Sequence, residues 1–329
     1  IVRRTDLQPL SLVMDNKQVR GITVLNLQSG ETFGIQAKAI ILATDGHQGL
    51  WNNFSEGAGT GTALAASAGV KLQGMLNIQK HLLTVRGTNL HLPLDILSSG
   101  GRYRKESGED VSTGDHDFGE KYVLDLRGLD KVAKIWYAQA IRRIEERTGL
   151  DSKLEVIPLA ESVAFTLGGA PVDDNGRVTF KSESMWFTGL YAAGRSANTG
   201  MHGDGYLSGN LQLEDLVTGE AAGNHAGNWT RKTEFGGSDN INKELIKISK
   251  KLEKYNSQQG KSVGQITNQL SDLAKNIDGS IESLLPKIKI LQEDQISLTD
   301  TSKVMNTELL HAIRADAMFS ILESMAKTG

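Results

Sequence analysis

Residues 186–223 read WFTGLYAAGRSANTGMHGDGYLSGNLQLEDLVTGEAAG, and the order of features along them decides the fold. A short apolar strand over residues 189–193 (GLYAA) stops at Gly194. A loop follows with Gly200, Gly203, Gly205 and Gly209, and with His202 and Asp204 among them. From about Asn210 the spacing predicts a helix whose apolar face is Leu211, Leu213, Leu216 and Val217. Strand, glycine-rich loop and helix N-terminus together make an anion site. Loop glycines admit a ligand to the backbone, and the unpaired N–H groups and the helix dipole face its negative charge. An ordinary strand-to-helix connection of an α/β domain carries the same pattern.

Outward from this stretch, residues 10–46 read as a β-meander that feeds a fully apolar strand at 39–43 (AIILA), stopped by Thr44-Asp45-Gly46. A strand apolar on both faces is what a covered parallel sheet requires, so the meander is expected to form an antiparallel layer on a central sheet. Residues 56–69 (EGAGTGTALAASAG) are a second glycine-rich turn, into a helix of very small side chains. It is not a Walker loop, because Gly-Lys-Ser/Thr is missing. Between residues 76 and 163 turns cluster. Residues 122–126 (YVLDL) read as a strand. Residues 135–147 form an amphipathic helix with Ile135, Ala138, Ile141 and Ile144 on one face. Strand signals resume at 165–169 (FTLGG), so 76–163 is expected to be inserted into one sheet domain. After the Gly236-Gly237-Ser238 linker, residues 240–329 carry three single apolar stripes, the pattern of a small helical bundle.

The whole chain is 329 residues with 39% hydrophobic residues, net charge -3 and mean hydropathy -0.29, values of a globular protein with no basic field for nucleic acid. No apolar run approaches the roughly 18–20 residues of a membrane span, so no direct membrane insertion is expected. With no Cys, thiolate zinc and iron–sulfur ligation on this chain are excluded, and seven scattered His give no metal spacing. The chain opens at Ile1 and closes on a helical pattern, so both ends read as cut from something longer.

A collinear set of stretches carries more than any one of them. It comprises 41–46 (ILATDG), 58–61 (AGTG) with Ala68-Gly69, 78–81 (IQKH), 122–129 (YVLDLRGL), 165–169 (FTLGG), 189–194 (GLYAAG), 202–210 (HGDGYLSGN) and Leu213-Glu214. In this order they resemble the flavoprotein subunit of succinate dehydrogenase and fumarate reductase, with L-aspartate oxidase as a relative. The resemblance runs from about residue 10 to 228. It implies an α/β fold: a Rossmann-like FAD-binding domain (1–75, its N-terminal fingerprint missing, and 164–235), an inserted α+β capping domain (76–163) and a C-terminal helical domain (240–329). It implies FAD as cofactor and hydride transfer between a small organic acid and the flavin.

On that resemblance the cofactor-binding residues are Ala43, Thr44, Gly46, Gly194, Arg195, His202, Gly209, Asn210 and Gln212, and the catalytic candidates are His81 and His202. The helix opening at Asn210 is expected to turn its positive end to the flavin, although a plain N-cap would look the same. The partners implied are a small organic acid and separate iron–sulfur and membrane-anchor subunits, at a cytoplasmic site peripheral to the inner face of a membrane. The departures are as specific as the matches. The family's Glu after AAG is Arg195 here, its substrate-clamping Arg is Tyr206, and the His of its HYTMGG is Ala164. Dicarboxylate recognition uses guanidinium forks, and Arg102 or Arg104 are the residues left to replace them. A second reading is therefore a catalytically degenerate homologue, a structural or regulatory subunit of an electron-transfer complex.

Overall fold

The structure is a computed structural model that describes residues 1–52, 57–117, 120–180, 182–202, 209–256, 260–277 and 284–328. Asp204 and Tyr206, with the rest of 203–208, lie outside the described residues. The chain divides into two compact units, Ile1–Ile78 with Phe165–Gly329, and Gln79–Ala164.

In the first unit β1 (Leu7–Asp15) and β2 (Gln18–Asn26) form a hairpin, and β3 (Thr32–Gln36) completes the antiparallel meander on β2. The hairpin closes through Asn16 and Lys17, both with positive φ (46° and 66°), the backbone whose twist matches that of paired strands. Strand β4 (Ile40–Leu42) follows, then helix α1 (Thr60–Ser67). In the second unit β5 (Ile78–Val85), β6 (Arg102–Lys105), β7 (Tyr122–Asp125) and β8 (Ile157–Thr166) form a four-stranded sheet in the order β5-β8-β7-β6. Helices α2 (Lys131–Trp136) and α3 (Ala138–Thr148) lie between β7 and β8 in the chain. The chain then returns to the first unit through β9 (Ala170–Pro171), β10 (Arg177–Phe180), β11 (Ser182–Ala192) and β12 (Ala197–Asn198). It ends in α4 (Asn210–Arg231), α5 (Asp239–Lys254), α6 (Val263–Lys275), α7 (Leu284–Glu293) and α8 (Thr307–Thr328).

Strand β11 ties the first unit together. Its Leu190, Tyr191 and Ala192 run parallel to Ile40, Ile41 and Leu42 of β4, its Thr188 pairs with Gln18 of β2, and β10 pairs antiparallel to it. The meander expected as a separate layer is thus hydrogen-bonded into one six-stranded mixed sheet. Beneath it a single core joins Leu12, Leu25, Leu42 and Leu190 of the sheet to Leu64 of α1, Ile248 of α5, Leu270 of α6, Ile288 of α7 and Ile321 of α8. The second unit has its own core, around Leu83, Leu124, Ile144 and Ile157.

Three expectations from periodicity are corrected. The apolar face of α4 points outward, with Leu213 58%, Leu216 71% and Val217 48% exposed, while Glu214, Thr218, Ala222 and Ala226 are buried. The reason is close packing: the small Ala222 and Ala226 lie against Tyr191 and Ala193 of the sheet layer, where Leu would not fit. The helix read at 135–147 breaks at Tyr137. Asp130 caps a first piece by accepting from Ala133 N–H, and Ile135, expected inside, is 78% exposed. The tail holds a fourth helix, α7, whose Pro286 reads as a breaker in sequence but sits in the first turn, where a missing N–H costs nothing.

Ile321 is fully buried, and its Cδ1 lies where a Cβ on Gly59 would be (2.6 Å). Ile321→Ala should therefore destabilise the first unit by about 2–5 kcal/mol, read as a lower denaturation midpoint in guanidinium.

Candidate functional site at the strand ends

In open α/β sheets ligands bind outside the carboxyl ends of the strands. Here the two parallel strands, β4 and β11, end side by side, with Ala193 N–H donating to Leu42 O (2.9 Å). Just beyond, Thr44 N–H donates to Ser196 Oγ (2.9 Å), Ser196 Oγ donates to Thr44 O (3.1 Å), and Gly61 N–H donates to Thr44 Oγ1 (2.9 Å). Two hydroxyls thus lock both strand ends to the start of α1. Gly61 is required there, since a Cβ would stand 2.8 Å from Thr44 Oγ1 and 2.9 Å from Ser196 Oγ. Ala43 is exposed and Gly46 buried at this corner.

Gly194 turns the chain out of β11 with φ 54°, a conformation other residues resist. Its N–H donates to Thr218 Oγ1 (2.9 Å), and Asp215 Oδ1 occupies the place a Cβ would take (2.4 Å). Arg195 is held on the same side, with Nη2 donating to Asp215 Oδ2 (3.2 Å) and Nη1 3.6 Å from Asp45 Oδ1. The corner thus carries one guanidinium between two carboxylates.

A second group of residues lines a cavity of about 250 Å³, with Gln73, Gly74, Asn77, Asn198, Thr199, His202 and Glu214 in its wall. Glu214 is 7% exposed. Its Oε1 accepts from Thr199 Oγ1 (2.5 Å), and its Oε2 lies 3.8 Å from His202 Nε2. Helix α4 opens at Gly209 in the left-handed region (φ 88°), and among the described residues no side chain caps it. Asn210 is half-buried in the first turn, and Gln212 is exposed. With no side-chain cap among the described residues, the start of this 22-residue helix offers N–H groups to an anion.

Sequence reading missed His47, which is 1% exposed between these strand ends and residue 75. Its Nε2–H donates to Met75 O (3.0 Å), its Nδ1 accepts from Thr166 Oγ1 (3.1 Å), and its own N–H donates to Thr166 Oγ1 (2.9 Å). Burial pushes its pKa down to about 4, so it is a neutral positioning group. It also missed Ser196, Thr199, Glu214 and Asp215. The signal available was the pair of acidic residues one turn inside a glycine-opened helix.

His81, the other catalytic candidate, belongs to the second unit. Its Nδ1 accepts from Leu83 N–H (3.2 Å), and burial, with the His91 ring 5.2 Å away, lowers its pKa to about 4. At neutral pH its free proton is on Nε2, which makes it a donor rather than a base. The candidate clamps Arg102 and Arg104 are both engaged. Arg102 Nη2 lies 2.5 Å from Asp110 Oδ2, and Arg104 Nη1 3.2 Å from Asp125 Oδ2. Arg127 forks onto the same Asp125 with two 2.8 Å bonds, which hold that carboxyl well below its usual range.

The depressed pKa of His47 sets a pH dependence. Above about pH 6.5 both folded and unfolded chains hold it neutral, and stability is level. As pH falls toward 4 only the unfolded chain takes up the proton, so folding loses about 3 kcal/mol, at 1.36 kcal/mol per pKa unit. His81 adds a like step in its own unit. The difference between parent and His47→Gln in urea titrations from pH 7 to pH 4 isolates the His47 share: the parent should fall further.

Residues 3–211 match the family described as FAD binding domain. The fumarate reductase flavoprotein subunit of Escherichia coli K12 is 24% identical over 96% of this chain and 60% of its own length. L-aspartate oxidase of Mycobacterium leprae is 30% identical over 68% of this chain and 46% of its own length. A solved E. coli quinol fumarate reductase, its FrdA carrying a Glu-to-Gln substitution, superposes with TM-score 0.83 at 22% identity, covering 98% of this chain and 63% of that chain. The resemblance read from the collinear motifs is thus borne out, and the mixed α/β fold with it. The chain spans about 60% of the length of the first of these relatives. The match over residues 3–211, well over half of the 329, makes this protein a member of the FAD-binding domain family, with FAD the cofactor it indicates.

Proposed function

We propose that this chain holds FAD against the carboxyl ends of β4 and β11 and serves as the flavoprotein part of an oxidoreductase acting on a small organic acid. The observation that carries the reading is the convergence of two parallel strand ends, a left-handed Gly194 and the uncapped start of α4. The donor set fits the cofactor. Backbone N–H groups at the opening of α4 suit an anionic ring edge, and the Asp215 and Asp45 carboxylates on either side of Arg195, which stands where the related flavoproteins have Glu, suit cofactor hydroxyls. Glycines 61 and 194 leave room for the Thr44, Ser196 and Asp215 side chains to close on the strand ends.

Bound FAD supplies hydride exchange with the organic acid. The chain's own residues orient and screen. Thr44 and Ser196 fix the strand ends, Thr199 and Glu214 hold His202 at the cavity wall, and Asn210 and Gln212 border the helix opening. His202 faces the buried carboxylate of Glu214, with Nε2 3.8 Å from its Oε2. On this reading 1–75 and 164–235 make the FAD-binding domain, 76–163 a capping domain that carries His81, and 240–329 a helical domain. Separate iron–sulfur and membrane-anchor subunits would take up the electrons, at a cytoplasmic place peripheral to the inner face of a membrane. No helix among the described residues is long and apolar enough to cross one.

One observation favours the second reading, a catalytically degenerate structural or regulatory subunit. Arg102, Arg104 and Arg127 are all bound to Asp110 or Asp125, so none is left to fork a dicarboxylate. The two readings part on turnover. The enzyme needs FAD to bind, measured by quenching of flavin fluorescence on titration of the purified chain. Asp215→Ala should weaken it about tenfold, roughly 1.4 kcal/mol. Bleaching of the bound flavin by a panel of organic acids supports the enzyme. A flavin that no acid bleaches supports the degenerate subunit, and no quenching at all removes the enzyme reading.

A further inference from the structure

We propose that a cleft of about 650 Å³ on the first unit, between Lys17, Lys71, Phe180 and Phe187, is a binding site for a small organic anion with an aromatic or apolar body. Its volume is that of ordinary small-molecule sites, which are mostly apolar with a few placed polar groups. Among the described residues no carboxylate lines it, so its two ammonium groups meet no carboxylate from the described wall.

The hairpin fixes one of these charges. Lys17 sits at the β1–β2 tip with φ 66°, and its Nζ stands 3.7 Å over the Phe180 ring and 5.8 Å from that of Phe187. The ring faces attract the cation without neutralising it, so the ammonium keeps its donors for a ligand. The rings also meet edge to face at 5.2 Å, and Phe187 is 2% exposed, which makes a rigid apolar floor. Lys71 follows α1 and is exposed at the other part of the wall.

Polar specificity comes from Asn198 and Thr199. Asn198 Nδ2 donates to Gln73 O (3.3 Å), which fixes its amide, and Thr199 is tied to Glu214. These residues also line the cavity that holds His202, so the cleft opens beside the proposed flavin site without depending on it. A carboxylate or phosphate monoester head meets the lysines, and an aryl or alkyl body meets Phe180, Val172 and Pro171.

The test is calorimetric titration of the full chain with 3-phenylpropionate, phenyl phosphate and the neutral 3-phenylpropanamide, with and without added FAD. Both anions should bind saturably, more weakly as salt rises, and the amide should bind about tenfold less tightly. Lys17→Gln and Lys71→Gln should each cost about tenfold at unchanged melting temperature, with Lys71→Arg retaining binding. Preference for one anion names the head group. Equal binding of the amide, binding unchanged in both Gln variants, or no saturable binding would overturn the proposal. Binding that persists without FAD separates this site from the flavin reading.

Discussion

The first unit depends on the parallel pairing of β4 with β11. β4 is only three residues long, and its partner arrives about 150 residues later in the chain. Loop closure over that distance costs entropy before any contact repays it. What stabilises the junction is local and polar: Ser196 exchanges two hydrogen bonds with the Thr44 backbone, and the Thr44 hydroxyl accepts Gly61 N–H. Each such bond is worth on the order of 1 kcal/mol net, and leaving its buried partner unpaired would cost more. The corner where a cofactor would lie and the corner that closes the fold are therefore the same atoms.

Helix α4 extends this logic. A helix that buries Glu214 and Thr218 and exposes three apolar residues inverts the usual pattern. The burial is tolerable because Glu214 and Thr218 are engaged: Thr199 donates to Glu214, Thr218 donates to Glu214 O, and Gly194 N–H donates to Thr218. The polar face is what brings a carboxylate within 3.8 Å of His202. A helix packed on leucines would be chemically silent here.

Charge is distributed with the same economy. In the second unit Arg102, Arg104 and Arg127 are paired with Asp110 and Asp125, a network that orders a loop and two strands and leaves no free fork. In the first unit Arg195 is shared by Asp45 and Asp215, whereas Lys17 and Lys71 face a cleft with no acid among its described lining residues. The cations that line this cleft are thus lysines, compact point charges rather than planar guanidinium forks.

The sequence by itself determined most of the element order, the two strands whose ends form the candidate site, and the family. Apolar runs at 39–43 and 189–193 and the glycines at 194 and 209 are local signals of period and backbone freedom, and local signals survive without coordinates. The collinear motifs named the relatives for the same reason. What only the tertiary structure decided is which face of each element is inside. Periodicity ranked Leu213, Leu216 and Val217 as core, but the sheet presents Tyr191 and Ala193, against which only small residues pack. It also decided which charges are spent. Asp215, Asp45 and Arg195 are far apart in sequence and meet only because two parallel strands end together, and His47 becomes a neutral buried post only where Met75 and Thr166 converge on it. Partners distant in the chain leave no period to read, so that part of the site had to come from the fold.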